Sequence, residues 1–251
     1  MNIFGNLKND GLEKQEDRLG GGGGLFDTNI YSGIIKVAFA GQSKGGAHSV
    51  SLIVDVDGKE YREICYITNK KGENFFLNKQ DNSKKVPLPG FSLIDNICLL
   101  TTEKPLCEQD IEEKVFKLYD FEQKKEVPTS IPILIDLIGK PISLAIIKEI
   151  VNKNVKNDST GEYEATAEKR EQNVIDKAFH TETKLTVVEA ERGDEVGTFW
   201  DKWLEKNLGK TRDKREIKNG QVASGRPSGP PKAAAPTAGA TPKKSLFGKK
   251  N

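Results

Sequence analysis

A segment with the composition of a nucleic-acid surface runs from Lys59 to Lys85, where aromatic residues are interleaved with basic ones. Lysine and arginine neutralise phosphates and release their counterions, and flat aromatic rings stack on unpaired bases for roughly 1–3 kcal/mol per base. Because alternate residues of a strand share a face, rings and basic groups can project together. The pattern predicts a surface for single-stranded nucleic acid. The residues expected on it are Lys44, Lys59, Arg62, Tyr66, Lys70, Lys71, Phe75, Phe76, Lys79, Lys84 and Lys85.

Other interpretations of this segment stay open on sequence alone. Aromatic residues in strands commonly pack in a core, and basic residues in turns are commonly just solvated. Phe75 and Phe76 are adjacent, so on a regular strand one is expected in the core and the other exposed. Stacking and phosphate contacts also serve RNA, so a DNA-binding and an RNA-binding protein of similar fold are not separated.

Residues that could support catalysis or hold a metal ion are sparse. Residues 208–211 read Leu-Gly-Lys-Thr, the end of a phosphate-binding loop, but the position that should hold its first glycine is Leu204. The two histidines, His48 and His180, are isolated, and no two cysteines have the spacing of a zinc-ligand pair. The sequence therefore predicts a non-enzymatic protein with no catalytic residue, metal site or cofactor.

The charge of the chain is unevenly distributed. Residues 225–251 include six basic residues and no acidic one, and because the whole chain carries +2, the remainder carries −4. Any nucleic-acid contact in the body therefore needs a local basic patch. The basic–apolar–basic end of the tail suits a solubilising extension or a peptide for a partner's pocket, so a protein-interaction module is the second functional hypothesis. The expected partner-binding residues are Ser245, Leu246, Phe247, Lys249 and Lys250.

The elements that must position these residues are mainly strands. Residues 1–29 are glycine-rich and are expected to form a flexible arm. A meander of about four strands is expected over residues 31–80, followed by a short helix near Ser92 and a closing strand over 140–148. Five or six antiparallel strands with inserted and C-terminal helices predict a mainly β (α+β) domain over residues 30–215. This pattern is typical of an OB-type Greek-key barrel, with a β-sandwich as the alternative.

The C-terminal part of the chain is more polar. Residues 153–180 are expected to be loop-like with a short helix at 174–179, and Thr186 to Glu189 fit a capping box. Residues 198–208 fit a helix whose two tryptophans are expected in the core. Residues 216–251 are expected to form a disordered basic tail. Because no apolar run approaches the roughly 20 residues that span a membrane, and the first residues do not resemble a signal peptide, we expect a cytoplasmic protein without membrane contact.

Several strings of the body resemble single-stranded DNA-binding proteins of N4-like podoviruses. The similarity covers roughly residues 1–215 and is one of overall pattern, since none of the strings is a catalytic signature. The strings are Lys59–Glu63, Gly72–Phe76, Pro87–Phe91, Val115–Glu122, Leu137–Pro141 and Phe199–Asn207.

This resemblance implies an OB-fold and binding of single-stranded DNA during phage replication and recombination, alongside phage replication proteins and without enzymatic activity. It also implies that the end of the tail, Ser245 to Lys250, contacts host RNA polymerase and activates transcription. The sequence departs from the commoner single-strand binders, whose tails end in acidic residues and an aromatic one, because this tail is basic. The departure puts recruitment of partners through an acidic tip in doubt.

Overall fold

The computed structural model describes residues 24–120, 123–156, 163–218 and 221–222. Its strands are β1 (Asn29–Gln42), β2 (His48–Val56), β3 (Lys59–Tyr66), β4 (Phe75–Leu77), β5 (Lys85–Pro87), β6 (Ile111–Asp120), β7 (Lys125–Leu134), β8 (Pro141–Lys156), β9 (Tyr163–Phe179), β10 (Arg212–Asp213), β11 (Ile217–Lys218) and β12 (Gln221–Val222). Its α-helices are α1 (Pro89–Thr102), α2 (Val187–Glu191) and α3 (Phe199–Asn207). Two short 3-10 turns cover Leu106–Glu108 and Ile135–Leu137.

Five strands form a continuous antiparallel path in the order β9–β8–β1–β2–β3. The β6–β7 hairpin joins this path where Phe39 of β1 pairs with Ile133 of β7, and β10 runs parallel to β8. Within the described ranges, β3 and β9 are the two ends of the path, and no backbone ladder joins them. The predicted mainly β fold with a few helices is therefore confirmed, while the hydrogen-bonded sheet is open rather than closed into a barrel.

Side chains join the two ends of this path where the ladder stops. The Glu63 carboxylate of β3 accepts hydrogen bonds from the Tyr61 hydroxyl at 2.5 Å and from the Ile175 backbone N–H of β9 at 2.8 Å. Burial raises the pKa of Glu63 above its usual value, although both hydrogen bonds oppose the shift. Nearby, Asn173 of β9 exchanges two hydrogen bonds with the backbone of Phe26. The β3 and β9 edges are thus linked by the Glu63 carboxylate, which is costly to bury, while Asn173 ties β9 to the segment that precedes β1.

Three hydrophobic clusters pack α1, α3 and the β6–β7 hairpin against the sheet. The largest lies between α1 and one face of the sheet, which we call the inner face; it includes Ile35, Leu52, Val54, Ile94, Ile97 and Leu144. The second packs α3 against β1, β8 and β9; it includes buried Trp203 and half-buried Trp200, as predicted for the two tryptophans. The third lies on the opposite, outer face of β1 and β2, where the β6–β7 hairpin covers it; it includes Val37, Ile53, Ile131 and Ile133.

The long strand β1 pairs first with β8 and then with β2, in addition to its pair with β7 at Phe39. Its first residues pair with β8, and from Ile34 onward it pairs with β2, with a register shift between Ile35 and Val37. Gly33 permits the close crossing, because a Cβ there would lie 2.3 Å from the Asp55 carbonyl oxygen. This bend leaves the second half of β1 beside β2, where it contributes to the outer face.

Several predictions about the elements are wrong in part. In place of the expected polar loop at 153–180 with a helix at 174–179, residues 153–156 are the end of β8 and Tyr163–Phe179 form the long strand β9. The reason is that β8 pairs along nearly all of β9 and supplies the ladder that a polar strand needs. The expected fourth strand shrinks to Phe75–Leu77 and pairs with β5 rather than with β3. The body also begins before residue 30, since Phe26 and Thr28 are buried.

The C-terminal helices agree with the sequence. The capping box at Thr186 and Glu189 is present, and α3 lies within the predicted span. Most of the predicted arm (residues 1–23) and of the predicted tail (residues 219–220 and 223–251) lies outside the described residues. No helix in the described part of the chain is long and apolar enough to cross a membrane.

Candidate nucleic-acid interface

Strand β3 carries the first part of the predicted surface, and its residues alternate between two faces. Tyr61 and Cys65 are buried in the main core, whereas Arg62, Ile64 and Tyr66 are exposed on the outer face. Ile64 is 61% exposed and Tyr66 is 53% exposed. A solvent-exposed aliphatic group, an aromatic ring and a cation therefore share one face of one strand.

Neighbouring strands extend this outer face with small residues. In the ladder, Tyr66 pairs with Ser49 of β2, which pairs with Gly41 of β1. Ser49 is itself buried, whereas Tyr66 beside it remains exposed and can meet a planar ligand. The adjacent row contains Ile64, Ser51 and the half-buried Phe39.

A groove of about 400 Å³ lies between the outer face and the β6–β7 hairpin. Its apolar floor forms where Phe116 of the hairpin packs with Ile53 of β2. Its charged lining comprises three cations and two acids, which are Lys36, Arg62, Lys117, Glu60 and Glu126. The groove continues the exposed face toward the other end of β3, so apolar and basic groups follow one another along this strand.

Glu60 ties two of these cations together. Lys36 Nζ donates to Glu60 Oε1 at 2.5 Å, and Arg62 donates to Glu60 Oε2 through both Nε, at 3.0 Å, and Nη2. The hydrogen bond from Lys36, followed by that from Arg62, holds the pKa of Glu60 below its usual value. The same hydrogen bond raises the pKa of Lys36. Glu60 therefore stays ionised and offsets part of the positive charge that a phosphate would meet in the groove.

Three predicted lysines lie at the opposite end of the outer face, which we call the loop end. Lys44 lies in the loop between β1 and β2, and Lys70 and Lys71 lie in the turn after β3; all three are exposed. The two segments are in contact, since a Cβ placed on Gly45 would lie 3.4 Å from Lys70 Cε. The fold thus places the loop that carries Lys44 against the turn that carries Lys70 and Lys71.

The other predicted aromatic residues lie on the separate β4–β5 hairpin. Phe75 is half-buried, with Lys85 Nζ 4.3 Å from its ring centroid, and Phe76 is 48% exposed. Adjacent residues are thus unequally exposed, as expected, but Phe75 is not in the core. Lys84 forms an ion pair within the hairpin loop, and Lys79 is exposed.

The β4–β5 hairpin leads into α1 beside the loop end of β3. Gly90 of α1 packs so closely on the strand that a Cβ there would lie 2.3 Å from the Tyr66 carbonyl oxygen. Lys59 lies elsewhere, because its Nζ sits 4.0 Å from the ring centroid of Phe26. The predicted segment is therefore not one surface: part of it joins the outer face, part forms a neighbouring hairpin, and Lys59 belongs to neither.

Sequence reasoning missed four residues of this site. Lys36 and Phe39 precede the predicted segment, and Lys117 comes from a strand far along the chain. Ile64 could have been found, because on a strand it shares its face with Arg62 and Tyr66. The other three are brought together by tertiary pairing, which no local pattern encodes.

The predicted partner-binding residues of the tail, Ser245, Leu246, Phe247, Lys249 and Lys250, lie outside the described residues. In the part of the chain that the structure describes, no group of three or more His, Cys, Asp and Glu side chains is arranged to hold a metal ion. Comparison of the chain with protein-family models and with curated proteins finds no match.

Proposed function

We propose that the protein binds single-stranded DNA non-enzymatically along its outer face. The observation that carries this proposal is the exposure of Ile64 and Tyr66 between two groups of cations, those of the groove and those of the loop end. Exposed rings gain stacking energy only from unpaired bases. A duplex would present phosphates to the same apolar centre, so the arrangement favours a single strand.

The strand order supports an OB-type assignment as part of this proposal. An OB-fold is a five-stranded, partly open Greek-key barrel that uses one face and its adjoining loops to bind oligonucleotides. Here five strands follow the order β9–β8–β1–β2–β3, and α1 intervenes between β3 and the later strands. The hydrogen bond from Ile175 of β9 to Glu63 of β3 stands where such a barrel would close.

The biological setting of the proposal rests on the resemblance described above. We infer a role in phage DNA replication and recombination within the host cytoplasm, beside phage replication proteins. Contact with host RNA polymerase, and activation of transcription, are assigned to the tail from Ser245 to Lys250. Deleting residues 240–251 is expected to abolish polymerase binding in a pull-down assay and to leave affinity for DNA intact.

Fluorescence anisotropy with labelled oligonucleotides tests the central proposal. The protein is titrated against oligo-dT, against a duplex of the same length and against an RNA oligomer of matching sequence, each at two salt concentrations. We expect tight, salt-sensitive binding to oligo-dT and much weaker binding to the duplex. Equal affinity for single and double strands would contradict the proposal, and preference for the RNA oligomer would assign the face to RNA.

A further inference from the structure

A second concave site lies where β9, α2 and α3 meet. It has a volume of about 260 Å³ and shares no residue with the outer face, the groove or the loop end. Its walls include Lys177 and Ala178 of β9, Val187 and Val188 of α2, and Phe199 and Lys202 of α3.

Buried Glu189 builds this site by joining α2 to α3. Its Oε2 accepts hydrogen bonds from the Thr186 N–H (3.0 Å) and hydroxyl (3.1 Å). Its Oε1 accepts from the Thr198 N–H (2.8 Å), the Thr198 hydroxyl (3.1 Å) and the Phe199 N–H (2.8 Å). Burial alone would raise the pKa of Glu189, but the hydrogen bonds from Thr186, Phe199 and Thr198 lower it to about 2. The pocket is therefore preformed, and both oxygens of this acid are already occupied.

The apolar wall of the pocket is supported from behind. The ring of Phe199 stacks on the buried ring of Phe179, with 6.3 Å between their centroids. Phe199 is nevertheless 37% exposed, and Val188 is 61% exposed. Apolar groups that are held in place and exposed beside a cavity favour binding of a partner's apolar side chain, because the contact removes both surfaces from water.

The rim of the pocket is basic. Lys177 and Lys202 are exposed, and within the described ranges no carboxylate forms an ion pair with either ammonium group. Arg192 also lines the pocket, but it is paired with Asp194. The ionised Glu189 carboxylate offsets part of this positive charge, but Lys177, Lys202 and Arg192 outnumber it in the lining, so the pocket remains net positive.

We propose that this pocket binds an acidic peptide segment of a partner protein. One bulky apolar side chain of the peptide enters the pocket, and flanking carboxylates pair with Lys177 and Lys202. The pocket volume of about 260 Å³ lies below the roughly 300–1,000 Å³ of sites for drug-sized ligands, so the pocket suits a single side chain. Charge complementarity disfavours the chain's own C-terminal motif, in which Leu246 and Phe247 are flanked by lysines.

A nucleic acid fits this pocket less well than a peptide does. The apolar part of its wall consists of Ala178, Val187, Val188 and a single ring, Phe199, one face of which is covered by Phe179. Single-strand sites instead offer successive open rings beside a continuous basic track. The cations here flank one small, half-open concave site, which is an arrangement that anchors a peptide side chain.

Two matched fluorescent peptides test the proposal on the full-length protein. One is the basic sequence Lys-Lys-Ser-Leu-Phe-Gly-Lys-Lys, and the other replaces each of its lysines by aspartate. Because the apolar anchor is the same in both, their difference isolates the flanking charge. We expect the acidic peptide to bind at least about tenfold more tightly at low salt. Equal affinity of the two peptides, or no measurable binding of the acidic one, would overturn the proposal.

Charge-reversal variants locate the binding. The double variant Lys177→Glu/Lys202→Glu is expected to weaken acidic-peptide binding about tenfold or more while leaving oligo-dT affinity unchanged. The control is Lys169→Glu/Lys206→Glu, which has the same net charge and alters exposed lysines outside the pocket; it should leave peptide binding intact. The pocket proposal fails if both double variants lose the peptide equally. It also fails if oligo-dT displaces the peptide and the Lys177→Glu/Lys202→Glu variant loses DNA, since the pocket would then serve nucleic acid.

Discussion

Replacing Glu60 by glutamine should strengthen DNA binding rather than weaken it. In the free protein, the Glu60 carboxylate holds Lys36 and Arg62, two of the cations that line the groove. Glutamine keeps the shape of the side chain but removes its negative charge. The two cations then become available to phosphates, and the groove gains one unit of positive charge.

The size of the effect follows from counterion release. Each phosphate contact on a single strand releases about 0.7 of a counterion, so one additional contact multiplies affinity by roughly fivefold at about 0.1 M salt. The same contact steepens the plot of log affinity against log salt by about 0.7. Little stability is lost, because exposed ion pairs such as that of Lys36 with Glu60 contribute about 1 kcal/mol or less.

Anisotropy titrations with oligo-dT at several salt concentrations measure both quantities. Glu205→Gln, an identical charge change at an exposed position of α3, is the control, and it should alter neither affinity nor slope. If Glu60→Gln leaves affinity and slope unchanged, the groove does not contact phosphates. If affinity falls, Glu60 positions Arg62 for binding, and the reasoning from charge is wrong.

Three further predictions concern single side chains. Tyr66→Ala should weaken oligo-dT binding by about 1–3 kcal/mol without lowering the melting temperature, whereas Tyr66→Phe should bind normally; a large loss of stability would make the ring structural. Because the pKa of Glu63 is raised from 4.5 in the folded protein, the free energy of unfolding should fall as pH rises above 4.5. Urea titrations at several pH values measure this fall, and Glu63→Gln should flatten it. Glu63→Ala should lower the free energy of unfolding by about 1–3 kcal/mol, because it leaves the Ile175 N–H unpaired. The pKa of Glu189 is lowered to about 2, so its stabilisation should be lost as pH falls from 4.5 toward 2, and Glu189→Gln should remove that loss from circular-dichroism acid titrations.

The elements predicted well are those whose signals are local. Strands β1 to β3 alternate or run apolar and are separated by turn residues, so their existence could be predicted without knowledge of the fold. The capping box at Thr186 is likewise a short-range pattern, because its hydrogen bonds join residues three positions apart. Such features need no partner from elsewhere in the chain.

The elements predicted poorly depend on distant partners. Strand β9 is polar over much of its length and is a strand because β8 pairs with it, a contact that its own sequence does not announce. The strand around Phe76 is short and pairs across a loop with β5, so the basic and aromatic segment divides between two surfaces. Lys117 reaches the groove only because the β6–β7 hairpin packs on Ile53. Tertiary pairing, rather than propensity, decides each of these cases.

The order of groups along β3 predicts that some substitutions change the affinity for DNA alone and others also change its dependence on salt concentration. Arg62 and Tyr66 are four residues apart, so about 13 Å of strand separates the cations of the groove from the ring nearest the loop end. A single strand lying along β3 would meet cations, then Ile64 and Tyr66, then Lys70 and its neighbours. Ring substitutions should therefore lower affinity at every salt concentration with an unchanged slope, whereas lysine substitutions at either end should reduce the slope. A DNA strand that instead crosses β1, β2 and β3 would meet only one group of cations. Lysine substitutions in the other group would then leave the slope of log affinity against log salt unaltered.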